Sequence, residues 1–167
     1  MSVPLSWRRW MYRGGRPNRL ARLFNRISAG QFGSGFLAPE TWVTLEVTGR
    51  RSGRTVACPL VVTVHNDDRY LVSMLGQQAN WVANVRATGG DAVLRHGRRE
   101  PVRLVEVDVA QRPPILRRFL AKASGARPHM PVGRHAPLVE FERIAPDYPV
   151  FRITAPQQQS ESEGHVL

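Results

Sequence analysis

One cysteine, one lysine and no acidic residue before Glu40 set the first limits on this chain of 167 residues. A lone thiol, Cys58, excludes an internal disulfide and a cysteine-rich zinc site, and its place in an apolar stretch suits packing better than nucleophilic attack. The five histidines (His65, His96, His129, His135 and His165) are scattered, with no carboxylate at ligand spacing, so no metal site is expected. Residue order supports no Ser-His-Asp arrangement. No apolar run approaches the ~20 residues of a membrane span, and the N-terminus lacks the apolar core of a signal peptide. A cytoplasmic location is the expectation.

What is present is arginine. Lys122 is the only lysine among 24 basic residues, and the formal net charge is +11. Seven arginines (Arg8, Arg9, Arg13, Arg16, Arg19, Arg22 and Arg26) precede the first acid, so much of the excess sits in an N-terminal arm, residues 1–35. Leu20, Leu23, Phe24 and Ile27 form one stripe of a helix expected over Pro17–Ala29. With Trp7 and Trp10 nearby, residues 1–29 suit either peripheral contact with an anionic membrane, at the inner face, or packing on their own domain. A tail from Pro156 to Leu167 is polar and expected to be disordered. Between them, residues 36–155 have the length and composition of one domain.

The stretch Thr41–Val64 organises that domain. Val43, Leu45 and Val47 alternate with Thr44, Glu46 and Thr48, the period of a half-buried strand. Val56–Val64 is a nearly continuous apolar run, expected as a strand covered on both faces. The connection, Gly49-Arg50-Arg51-Ser52-Gly53, puts fixed positive charge between two glycines, with Arg54 just beyond. Glycine admits close approach to backbone N–H groups, and the guanidinium fork suits phosphate and carboxylate. Such a loop has the chemistry of an anion clamp, though glycines and arginines also make ordinary solvated hairpin tips. Ser52 in this setting fits a phosphate donor, not a nucleophile.

Further strands are expected over Arg69–Leu75, Asp91–His96, Glu100–Val109 and Tyr148–Thr154. Helices are expected over Gln78–Ala87, from Pro113 through Leu120, and over Leu138–Ile144. Trp81 can serve as a flat apolar wall with the Asn84 amide one turn away, or Trp81 and Val85 can be core and Asn84 a cap. Six antiparallel strands with short helices between them point to a mainly β, α+β fold closed into a small barrel, since closure removes sheet edges.

In order, TGRRSG, then CPL, then SMLG and ANW with a following Asn, resemble the deazaflavin-dependent nitroreductase family over about residues 40–109. The EFERIA and YPVF stretches after Val139 are similar to its members too. The resemblance implies a split β-barrel of the flavin-reductase/pyridoxamine-phosphate-oxidase type that binds the deazaflavin coenzyme F420. It implies that Gly49, Arg50, Arg51, Ser52 and Gly53 hold the coenzyme phosphate. It further implies that Cys58, Pro59 and Leu60 line the ring through backbone groups, that Ser73 and Met74 sit beside it, and that Asn80 and Trp81 make contacts at a helix start. The implied activity is hydride transfer from the reduced deazaflavin to a small acceptor, a quinone or a nitroaromatic. Family members have a basic residue where Met74 stands and a tyrosine-rich loop where Ala126–Ala136 has histidines, so acceptor preference does not carry over. No catalytic side chain is assigned; Ser73, His129 and Tyr148 are the groups that could supply a proton. The competing readings are a non-catalytic F420 carrier, a flavin mononucleotide (FMN) protein of the same barrel, and a basic nucleic-acid or membrane-binding module. Nucleic acid is not an expected partner, and the chain is expected to be a monomer or a homodimer.

Overall fold

A computed structural model describes residues 41–158. The expected arm and helix of residues 1–35, with their membrane contact, lie outside the described residues, as does the tail beyond residue 158.

Six strands form a closed antiparallel barrel in the order β1-β2-β3-β6-β5-β4. They are β1 (Trp42–Thr48), β2 (Thr55–His65), β3 (Asp68–Val72), β4 (Asp91–His96), β5 (Arg98–Glu106) and β6 (Val150–Thr154). Among the described residues three α-helices accompany them: α1 (Asn80–Ala87), α2 (Arg112–Lys122) and α3 (Leu138–Ile144). The alternation read in β1 sends Val43, Leu45 and Val47 inward, where they join Cys58, Leu71, Leu94, Val102, Leu104, Phe151 and Ile153. α1 contributes Trp81, Val82 and Val85 to the same core, and the Trp81 and Phe151 rings meet at 5.5 Å, tilted by 58°. The second core lies on the outer face of β3 and β6. There Tyr70, Val72 and Val150 pack against Ile115, Leu116, Phe119 and Leu120 of α2 and Phe141 and Ile144 of α3. That division explains why α2 and α3 need only one apolar stripe each.

Several boundaries differ from expectation. β3 stops at Val72, because the next residue opposite it in β6's register is Pro149, which accepts the Ser73 N–H but has no N–H to return, and the chain then turns through Gly76–Gln78 before α1 begins at Asn80. β5 ends at Glu106, and Val109 lies in a short turn that leads into α2. β6 starts at Val150 because the Tyr148 N–H is held by Ala145 O in the preceding turn. β2 is not covered on both faces. Val64 is 48% exposed, and the Thr55–Val61 half is mostly only half-buried. The cause is pairing: β2 runs beside β1 over Thr55–Val61 but meets β3 only over Val62–His65. Among the described residues, one backbone edge of the Thr55–Val61 half therefore has no neighbouring strand.

Candidate functional site

The loop between β1 and β2 is closed by its own backbone. The Gly49 N–H donates to Arg54 O at 2.8 Å, and the Gly53 N–H to Gly49 O at 2.9 Å, with Gly53 at φ +66°. The Ser52 hydroxyl accepts from the Arg54 N–H at 3.2 Å. α1 fixes the loop from the side. Arg50 Nη1 donates to Asn80 Oδ1 and to Asn84 Oδ1, both at 2.9 Å, and the Arg50 N–H donates to Asn84 Oδ1 at 3.1 Å. Asn84 is buried, so this amide is a fixed anchor. The Arg50 guanidinium is thereby committed to the protein. Arg51 and Arg54 are exposed, and their side chains make no hydrogen bond or ion pair among the described residues. The positive charge that the loop offers outward is theirs.

The other site residues expected from sequence fall into distinct surroundings. Cys58 points into the barrel core opposite Leu45, and burial pushes its thiol up to about 12. Pro59 and Leu60 are half-buried, on the half of β2 with one unpaired edge. Trp81 is core, the second of the two roles its spacing allowed. Ser73 is buried, and its hydroxyl donates to Gly76 O at 2.8 Å, which shapes the turn before α1. Met74 is half-buried and lines a cleft.

That cleft, of about 360 Å³, is bordered by Met74, Leu75, Gly76 and Gln77 on one side and by His129, Asp147 and Tyr148 on the other. Its walls are strapped together. Gln77 Nε2 donates to Pro146 O at 2.8 Å, and the Tyr148 hydroxyl donates to His129 O at 3.1 Å. Gly76 sits at φ +76° with Asp147 O only 3.1 Å from where a Cβ would stand, so a side chain there would push the walls apart. Beneath them Arg112 is almost fully buried, with Nε on Val107 O at 2.9 Å and Nη1 on Ala145 O at 3.1 Å and Tyr148 O at 3.4 Å. Glu106 joins Arg112 at 3.3 Å and Arg86 at 2.5 Å, and Arg86 also donates to Gln77 Oε1 at 2.8 Å. A continuous polar chain thus runs from the core to the cleft wall. Burial, followed by the Asp147 charge, raises the Tyr148 phenol above its ordinary value.

Sequence reading did not single out Asp147 or Gln77. Both stand in short turns, and only the closed barrel brings those turns face to face. One helix serves both features: Asn80 and Asn84 of α1 hold the loop, while the turn leading into α1 lines the cleft. Among the described residues no group of three or more His, Cys, Asp or Glu could hold a metal ion, and no helix is long and apolar enough to cross a membrane.

No curated protein matches the sequence. A protein of unknown function from Agrobacterium tumefaciens superposes with a TM-score of 0.52 at 11% identity, over 70% of this chain and 49% of its own. This chain thus spans about half the length of that protein, and the likeness is one of fold. An F420-H2 dependent reductase is 17% identical with a TM-score of 0.46, over 68% of this chain and 93% of its own. A NimC/NimA family protein from Clostridium acetobutylicum is 10% identical with a TM-score of 0.48, over 75% and 82%. The sequence match is the more telling one. The profile of the F420H(2)-dependent quinone reductases aligns with residues 18–139, which include the Arg50 loop, β2 and α1, and this protein belongs to that family.

Proposed function

We propose that this protein binds coenzyme F420 between the Gly49–Gly53 loop and the Cys58–Leu60 segment, and that it uses the reduced coenzyme to convert a quinone to a hydroquinone. The observation that carries the reading is the loop itself. Two outward arginines, Arg51 and Arg54, stand on a backbone that α1 already holds in place through Arg50. A coenzyme with a phosphate and a glutamate tail needs such a fixed cationic rim, and its ring needs a half-buried strand with an unpaired backbone edge. The Thr55–Val61 half of β2 offers that edge beside the loop.

When bound, the deazaflavin supplies the hydride; the protein's work is to bind, orient and exclude water. A quinone takes up a hydride and a proton, so two electrons leave the coenzyme and the proton must come from water or from a side chain. Ser73 and Tyr148 spend their hydroxyl protons on Gly76 O and His129 O. His129 borders the cleft, its imidazole has no hydrogen-bond partner among the described residues, and it is the side chain that could relay that proton from water.

The test is fluorescence titration with F420 and with FMN, followed by turnover of the neutral quinone menadione by reduced F420. Tighter binding of F420 and measurable turnover are expected. Equal or reversed affinities would remove the coenzyme assignment. Tight F420 binding without turnover of any quinone would leave a carrier.

A further inference from the structure

The cleft carries one formal charge, and its sign is opposite to that of the protein as a whole. Of its seven lining residues Asp147 is the one acid and His129 the one histidine, and no arginine or lysine is among them. Arg86, which reaches the wall through Gln77, and Arg112 beneath it share Glu106, and Arg112 is further held by the Val107, Ala145 and Tyr148 carbonyls, so both cations are committed to the protein behind the wall. Met74 and the 48%-exposed Leu75 make the opposite wall apolar. The Asp147 charge acts on a second lining group, since after burial it contributes to raising the neighbouring Tyr148 phenol. Distant arginines contribute little here, because charges beyond a Debye length of about 8 Å are largely screened at physiological salt.

We propose that this cleft seats the acceptor and that Asp147 makes it select uncharged acceptors over those that carry an anionic group. The proposal rests on the reductase reading above and adds a residue that determines specificity. Asp147 and Tyr148 stand in the turn that precedes β6, opposite the turn that leads into α1. The straps from Gln77 to Pro146 and from Tyr148 to His129 hold the carboxylate's segment in place, so its field is built in before any acceptor arrives. An anionic acceptor entering a cleft of about 360 Å³ cannot keep far from that charge, whereas a neutral quinone meets the apolar wall without repulsion.

The experiment compares kcat/KM for menadione and for 1,2-naphthoquinone-4-sulfonate, using the full chain with reduced F420, in the parent, Asp147→Asn and Asp147→Lys. The two quinones differ in intrinsic reactivity, so the readout is the change in their ratio between variants. The preference for the neutral quinone is expected to fall on the order of tenfold in Asp147→Asn, and further in Asp147→Lys. In the parent it is also expected to shrink as salt is raised. F420 affinity, measured separately, stays at the parent's value. A ratio unchanged in both variants, with menadione turnover retained, overturns the proposal and leaves the reductase reading standing. Absence of turnover with either quinone in the parent overturns that reading and the proposal with it.

Discussion

Asn84 Oδ1 accepts two hydrogen bonds from Arg50, one from its backbone N–H at 3.1 Å and one from Nη1 at 2.9 Å. A neutral amide on α1 therefore decides where an arginine of the β1–β2 loop goes. Because Asn84 is buried and Asn80 takes a further bond from the same guanidinium, the loop cannot swing away from the helix without leaving polar groups unpaired. The division of labour is between a positioning arginine, Arg50, and the outward Arg51 and Arg54.

Binding at two salt concentrations separates those roles. Arg51→Ala is expected to weaken F420 about tenfold and to flatten the fall of affinity with salt, since it removes an exposed charge. Asn84→Ala is expected to weaken F420 as well, with the salt dependence kept, because it frees the loop without altering its charge. Isotherms for each variant, with circular dichroism to verify folding, make the comparison. A parent-like isotherm for folded Arg51→Ala would reduce the loop to a hairpin tip.

Arg112 supports the cleft from below. Arg112→Met keeps the side chain's bulk but strands Val107 O, Ala145 O and Tyr148 O and takes one partner from Glu106. The expected loss is about 3–5 kcal/mol, the scale for breaking a buried charged network. Urea denaturation reads it as a lower midpoint with an unchanged slope.

The barrel was legible where one residue type repeats with one period. The alternation of β1 and the stripes of α1 and α2 predicted the buried apolar residues, whereas Glu46, expected on the polar face of β1, is buried beneath Arg95 and Arg99. Helix α3 was found at its expected bounds, Leu138–Ile144. Strand ends were less legible, because tertiary hydrogen bonds set them: Pro149 O captures the Ser73 N–H, and Ala145 O captures that of Tyr148. The site was half legible. GRRSG marks a loop that can meet an anion, yet nothing in five letters says which arginine turns inward. That depends on Asn80 and Asn84, some thirty residues away. Trp81 illustrates the reverse case. Its spacing allowed a ligand wall as well as the core role it favoured, and closure of the barrel over α1 gave it to the core.

From that burial comes a stability prediction. Trp81→Ala removes the partner of Phe151 and opens a cavity at the barrel end, with an expected loss of about 3–5 kcal/mol. The loss should be present without any ligand, as read by thermal unfolding of the coenzyme-free protein. A variant as stable as the parent, with only F420 binding impaired, would return Trp81 to the role of a ligand wall.

Glu106 gives the pH dependence. Its carboxyl lies below the ordinary carboxylate range, chiefly through the hydrogen bond from Arg86 and then through the charges of Arg86 and Arg112, while burial pulls the other way. A lowered folded-state value means that the stabilisation is present above the unfolded value of ~4.3 and is lost as pH falls through the folded one. Glu106→Gln should therefore cost stability at neutral pH, and that cost should vanish in acid below the carboxylate range. Both partners are partly exposed, so solvent limits the ion-pair part to about 1 kcal/mol. Chemical denaturation of parent and variant across acid and neutral pH provides the comparison.

Cys58 closes the account of what does no chemistry here. The thiol is buried opposite Leu45 and pushed up to about 12, so at neutral pH almost none of it is thiolate, the form that attacks disulfides and alkylating agents. Against a free cysteine of pKa ~8.5, the reactive fraction falls on the order of a thousandfold, before any steric block is counted. Ellman's reagent is expected to label the native protein far more slowly than the urea-unfolded chain. The native rate should follow the opening of β2 and slow further when F420 is bound along that strand. Cys58→Ala is expected to retain F420 affinity, because the strand would meet the ring through its backbone and not through sulfur. Prompt labelling of the folded protein, or loss of F420 binding in a folded Cys58→Ala, would place the thiol at the ligand and not in the core.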